Sequence, residues 1–331
     1  MGVPCHNRGV IWRFVLVVLT ACGASATPPP RIEPRPEPGV VPVVAEPPVA
    51  ITPRFDLDVP SAPTSLVVIG GKLLWTDSLG AIWSMPSDGS APARLLGDAR
   101  FAFHLFRAGD EAFATARGDL LRVDADGNVH ALGVKLKDLA EESAGDANGL
   151  YITMFKRTEI LRVPVTGGAA TKLADVTRGV LGIHDATLYA ASYTGGTLVA
   201  IPTKGGAAKT IASNLPRPTA VAADERAVYV YCERDQTVRR IDLADGAVSV
   251  IARELTNSDD IVSDGAYLYT FTWGAQPGLV RVWKDGSHPA QRLTTDLATP
   301  NKIAVDAEAV YVSSRDQKRI VKLVKAALPA P

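Results

Sequence analysis

From about residue 60 onward the chain alternates short apolar runs with turn residues. The runs are too short and too evenly spaced for helices, and they read as strands. The sharpest form a series: Leu73-Leu74-Trp75-Thr76-Asp77, Ala112-Phe113-Ala114-Thr115, Leu150-Tyr151-Ile152-Thr153, Leu188-Tyr189-Ala190-Ala191, Val228-Tyr229-Val230-Tyr231, Leu268-Tyr269-Thr270-Phe271 and Val310-Tyr311-Val312-Ser313. Their second positions are 74, 113, 151, 189, 229, 269 and 311, spaced by 39, 38, 38, 40, 40 and 42 residues. Five of the seven carry tyrosine there and one carries phenylalanine, so the series is an internal repeat.

Each anchor is followed by a second run, such as Leu120-Leu121-Arg122-Val123, Ile160-Leu161-Arg162-Val163 or Val238-Arg239-Arg240-Ile241. Apolar and basic residues alternate in several of these, the mark of a strand with one wet face. Pairs that accept positive φ come next: Asp88-Gly89, Asp126-Gly127, Gly167-Gly168, Gly205-Gly206, Asp245-Gly246 and Asp285-Gly286. A fourth run closes the unit, as in Ala93-Arg94-Leu95-Leu96, Thr171-Lys172-Leu173-Ala174 and Ser249-Val250-Ile251-Ala252. Another strand and an Asp turn precede each anchor, as in Ala220-Val221-Ala222-Ala223-Asp224 and Ile303-Ala304-Val305-Asp306. Four short strands in a meander make one blade of a β-propeller. The expected fold is therefore all-β: a single propeller of about seven four-stranded blades over residues 51–327. Six blades is the next reading, because the repeat around Phe113 is the least regular. The last repeat stops after its third strand near Val324. An open ring leaves a free edge, so residues 51–57 are expected to supply the missing strand and close the last blade.

Leu74-Trp75-Thr76-Asp77 is close to the YWTD tetrapeptide, with Leu for the first Tyr, and the later repeats keep only the Leu/Val-Tyr pair. Over roughly residues 60–325 the chain resembles the YWTD and NHL-type propellers and the bacterial proteins related to streptogramin lyase. That resemblance implies the fold and leaves function open, since its members include binding scaffolds, lactonases and lyases.

Ligands of propellers sit at the channel mouth, where the innermost strands begin. The residues there form a ring: Thr64, His104, Glu141 or Glu142, Arg178, Thr219, Asp259 or Asp260, and Asn301 or Lys302. Glu142, Asp259 and Asn301 offer oxygen ligands of the kind Ca²⁺ takes. The resemblance to lactonase propellers implies a metal held by Glu, Asn and Asp, and the resemblance to streptogramin lyase implies a catalytic histidine, for which His104 is the candidate. His104 also sits in the apolar run Phe101 to Phe106, where a core or rim role is expected. The Asp residues before the anchors suit turns and need no other role. Gly-x-Ser-x-Gly, His-Glu-x-x-His and Walker-type loops are absent.

The N-terminus changes the picture of where this domain works. Arg8 and Arg13 precede the apolar stretch Phe14 to Leu19, which is too short for a permanent membrane span. Leu19-Thr20-Ala21-Cys22 resembles the lipobox of bacterial lipoproteins, which implies cleavage after residue 21 and a lipid on Cys22. Gly23 in place of Asp resembles lipoproteins sorted to the outer membrane of Gram-negative bacteria. Residues 23–63 hold 12 of the chain's 24 prolines, so residues 22–50 are expected to form an extended tether. Cys232 is then the one cysteine of the propeller, expected as a buried small hydrophobe with no disulfide. Net charge is zero, and nothing in its distribution points to nucleic acid.

These features together lead to an exported, membrane-tethered propeller that acts as a binding or interaction module in the cell envelope. Its expected partners are the membrane, through the lipid, and a protein, peptide or glycan at the rim; no cofactor is required. The alternative is a calcium-dependent hydrolase or lyase with its site at the channel mouth.

Overall fold

The computed structural model describes residues 53–329, apart from 99–101, 125, 156 and 177. The leader, Cys22, the tether over 22–50 and residues 51–52 lie outside the described residues. Among the described residues, every strand belongs to one of seven four-stranded antiparallel sheets. The protein is a seven-bladed propeller, which excludes the six-bladed reading. In sequence order the innermost strands are Pro63–Ile69, Ala102–Ala108, Ala140–Asp146, Gly179–His184, Pro218–Ala223, Ile261–Asp264 and Pro300–Val305. They open blades 1 to 7. Each packs on the innermost strand of the next blade, and that of blade 7 packs on that of blade 1.

The seven anchors all lie on second strands, from Lys72–Asp77 in blade 1 to Ala309–Ser314 in blade 7. These strands are covered on both faces by neighbouring blades, which is why they lack polar alternation. Gly149–Met154, Ala227–Cys232 and Ala309–Ser314 are buried at every position. Outer strands such as Thr171–Asp175 face water and are mostly polar. The core is divided accordingly into seven apolar clusters, one between each pair of adjacent blades. Cys232 is fully buried, and burial pushes its thiol pKa up to about 12.

Ring closure follows the expected route. Arg54–Asp58 pairs antiparallel with Arg319–Val324, in register from Arg54↔Leu323 to Asp58↔Arg319. The N-terminal strand thus becomes the outer strand of blade 7. Arg54 holds it by a two-pronged contact to Asp296 at 2.9 and 2.7 Å, and Arg319 reaches both Asp56 and Asp296 at 2.9 Å.

Three of the Asp residues before the anchors repeat one arrangement. Asp146, Asp224 and Asp306 each accept two backbone N–H groups of the turn that follows. Each also accepts the hydroxyl of the anchor tyrosine five residues on: Tyr151 at 3.1 Å, Tyr229 at 3.0 Å and Tyr311 at 2.9 Å. The aspartate shapes the hairpin and satisfies a buried phenol with one carboxylate. In blade 1, Asp77 of the Trp-Thr-Asp sequence does related work. It accepts the N–H groups of Leu79 and Ala81 and the indole N–H of Trp83, which stacks on Trp75.

Candidate functional site

Because each blade is a meander, its first strand starts on the same face of the ring as the loop joining its second and third strands. That face carries the mouth of the channel. Several innermost strands begin with a β-bulge: the register shifts between Pro63 and Ser65, Ala102 and His104, Ala140 and Glu142, Pro218 and Ala220, and Pro300 and Ile303. A bulge re-aims side chains and is common beside functional sites. The register then defines a layer. Ser65 stands opposite Thr76, His104 opposite Thr115, Glu142 opposite Thr153, Val180 opposite Ala191 and Ala220 opposite Tyr231. Lys302 completes it in blade 7, bonded both ways to the Ser313 hydroxyl. In blade 6, Asp260 reaches across to accept the N–H of Ile303 at 2.8 Å.

The charged members meet in the channel. The Lys302 ammonium lies 4.0 Å from Asp260 and feels Glu142 and Asp259 as well. Burial alone would lower its pKa, but the three carboxylates outweigh that effect and hold it above the usual lysine value. Burial pushes the Glu142 carboxyl up to about 7, against the pull of Lys302. Asp259 is raised for the same reason. Its side chain is exposed at the cavity. His104 is pushed down to about 4, by burial first and by Lys302 second, so it is neutral at pH 7.

The remaining ring residues are occupied with structure. Asn301 turns away from the channel and donates to the carbonyl of Thr64 at 2.7 Å, joining blade 7 to blade 1. Thr219 donates to the carbonyl of Ser258 at 2.9 Å. Thr64 bonds to Thr76 at 3.0 Å. Arg178, at φ 47°, donates to Glu141 at 3.2 Å. The expected oxygen set of Glu142, Asp259 and Asn301 therefore does not converge. Among the described residues no group of three or more His, Cys, Asp or Glu side chains is placed to hold a metal, and a lysine ammonium stands among the channel carboxylates.

A cavity of about 460 Å³ opens beside Glu142 and Asp259, over the small ring residues Gly179 and Val180. Its wall adds residues that reading the innermost strands missed: Tyr193, Glu233 and Trp273. The guanidinium groups of Arg178 and Arg217 lie over the Tyr193 ring, 5.0 and 4.8 Å from its centre, and Arg217 also donates to the Tyr193 hydroxyl. Its hydroxyl donates to Glu233, which also pairs with Arg217 at 3.3 Å. Trp273 stacks on Phe271 and donates its indole N–H to the carbonyl of Pro300. Phe155 stands outside this group, 57% exposed, with Arg178 over its ring. The repeat held the signal for all four: Phe155, Tyr193, Glu233 and Trp273 each lie four residues after an anchor tyrosine. A second cavity of about 480 Å³ lies on the opposite face between blades 1 and 2, lined by Ile69, Met85 and Leu96 among others. None of the channel's charged groups reaches it.

Solved structures match the fold over most of the ring. Virginiamycin B lyase from Staphylococcus aureus is 15% identical, with a TM-score of 0.68 over 82% of this chain and 98% of that one. YCF48 bound to D1 peptide is 12% identical, with a TM-score of 0.65 over 86% of this chain and 99% of that one. This chain has the fold of these propellers. A chain of the nidogen/laminin complex is 13% identical, with a TM-score of 0.53 over 65% of this chain and 88% of that one. No family model and no curated protein matches the sequence. At these identities the likeness establishes the fold and carries no residue roles.

Proposed function

We propose that this protein is an exported propeller, tethered to a bacterial membrane by a lipid on Cys22, that holds a protein or peptide on its mouth face. The observation that carries this reading is the composition of that face. Arg178, Tyr193 and Trp273 line the cavity together with four carboxylates, and Leu79, Leu139 and Phe155 are each more than half exposed on the same face of the ring. Tyr, Trp and Arg dominate the centres of protein interfaces, and exposed apolar groups rimmed by polar ones mark docking surfaces. YCF48 was seen with a peptide and nidogen with laminin, which supports a partner of the same kind here.

The test is photocrosslinking in intact cells. A photoreactive residue replaces Phe155 on the mouth face or Leu243 in the hairpin on the opposite face. A specific adduct formed from position 155 and not from 243 supports the reading; an adduct from 243 alone overturns it. For the tether, Cys22→Ser is expected to move the protein from the membrane fraction to the soluble fraction, and an unchanged distribution would refute lipidation.

A further inference from the structure

Four carboxylates, Glu141, Glu142, Glu233 and Asp259, line the cavity beside one arginine, Arg178. Glu141 is taken by Arg178 and Glu233 by Arg217. That leaves Glu142, Asp259 and Asp260 with the Lys302 ammonium, and Asp259 also feels the charge of Arg315. Asp260 is the carboxylate that is engaged, to Lys302 and to the N–H of Ile303. No other residue among those described donates a hydrogen bond to the carboxylate of Glu142, which is partly buried, or of Asp259, which is exposed at the cavity. The second carboxylate oxygen of Glu141, on the same cavity wall, is buried without a partner. A buried acceptor such as this one is normally satisfied, and the cavity of about 460 Å³ that Glu141 lines opens onto Glu142 and Asp259 as well.

We infer that this cavity is a receptor for an organic cation, the ammonium of a lysine or the guanidinium of an arginine in the partner, seated between Glu142 and Asp259. The inference rests on the mouth-face reading above and specifies its chemistry. A cation there supplies donors to unpaired acceptors and restores local charge balance, and a charge-assisted bond in such a site is stronger than a neutral one. Val180 and Gly179 leave room for the aliphatic stem, with Trp273 on the wall. The groups that set the ionisation of Glu142 are Glu141 on its own strand, Asp259 and Asp260 before the innermost strand of blade 6, and Lys302 in blade 7. A bound cation favours the ionised carboxylate, so binding weakens as pH falls through 7.

The experiment titrates the full-length protein with lysine amide, arginine amide, the uncharged norleucine amide and, separately, calcium chloride. The readout is the NMR signal of the Trp273 indole N–H. The expected result is saturable binding of the two cationic amides and none of norleucine amide. Affinity for lysine amide should fall by about tenfold or more from pH 8 to pH 5.5 as Glu142 takes up a proton. Glu142→Gln and Asp259→Asn, each checked for an unchanged melting temperature, should each weaken it by a comparable factor. Equal binding of norleucine amide, indifference to both substitutions, no saturable response, or a response to calcium alone would each overturn the inference. If it fails while crosslinking from position 155 persists, the mouth face still binds the partner, by other chemistry. If that crosslinking fails too, the broader reading falls with it.

Discussion

Replacing Asp224 by alanine removes four interactions at once. Its Oδ1 accepts the N–H groups of Arg226 and Ala227, both at 2.9 Å, and its Oδ2 accepts the Tyr229 hydroxyl at 3.0 Å and the Lys284 ammonium at 2.8 Å. Lys284 belongs to the outer hairpin of blade 6, so the contact also fastens blade 5 to its neighbour. Both side chains of the pair are only 12% exposed. Breaking such a pair from one side strands a charge and costs about 3–5 kcal/mol. At about 2–4 °C per kcal/mol for a domain of this size, the melting temperature should fall by about 6–20 °C. Tyr229→Phe removes one hydrogen bond to a charged group and should cost only about 1.5–3 kcal/mol. Adding Lys284→Met to Asp224→Ala removes the stranded charge and should recover part of the loss. The effect also has a sign in pH. Burial raises the Asp224 carboxyl, but Lys284 and the two N–H groups outweigh burial and bring its pKa from 3.8 down to about 2. Its contribution to stability is therefore complete above the unfolded value and fades as pH falls toward 2. Denaturant unfolding of wild type and variant at pH 7, 4 and 3 checks this. A variant within about 1 kcal/mol of wild type at pH 7, or a gap that does not narrow at pH 3, would refute the assignment.

Other outcomes follow from the same geometry. Deleting residues 53–58 exposes the edge of Arg319–Val324 and takes Arg54 from Asp296 and Asp56 from Arg319, so the ring should open, with a large loss of denaturant midpoint and concentration-dependent aggregation by light scattering. Gly278 has φ +156°, and a Cβ there would overlap the carbonyl oxygen of Thr294; Gly278→Ala should lower the melting temperature, whereas Gly246→Ala at an open turn should cost far less. Lys302→Met leaves Glu142, Asp259 and Asp260 without their ammonium, so the folded pKa values of Glu142 and Asp259 rise further. The variant should be least stable at high pH and regain stability as pH falls and the carboxylates protonate, measured as unfolding midpoints at pH 8 and pH 5.

The fold is legible in the sequence because it rests on local regularities. A strand between two blades must be apolar throughout, and seven such strands with tyrosine-type anchors stand out from the polar turns around them. The repeat predicts third strands ending near 85, 123, 163, 201, 241, 282 and 323, and they end within one residue of each. The closing strand is visible for a topological reason, because a blade with three strands needs a fourth from the other end. The outer strand of blade 6, only Gln291–Arg292, escapes because two residues carry no pattern. The site is legible in position and not in detail. Bulges insert one residue at the mouth, and an extra residue changes which side chain faces the channel. That is why sequence alone leaves Glu141 and Glu142, and Asn301 and Lys302, as alternatives; Asp259 and Asp260 are alternatives too, although the strand they precede has no such shift. In the structure Glu142, Asp260 and Lys302 take part in the channel's charge cluster, Glu141 pairs with Arg178, and Asn301 bonds to blade 1. The aromatic wall is hidden for a different reason. Tyr193 and Trp273 come from loops of different blades, and only ring closure brings those loops around one cavity.

The most direct test of a mouth-face binding site uses the partner trapped from position 155. Its affinity is measured by calorimetry for wild type, for Phe155→Glu with Leu139→Glu on the mouth face, and for Leu243→Glu on the opposite face. The expected result is a loss of about tenfold or more for the mouth-face pair, as for truncation at interface hot spots, with affinity retained by Leu243→Glu. Unchanged binding by the mouth-face pair, or loss with Leu243→Glu alone, would contradict it.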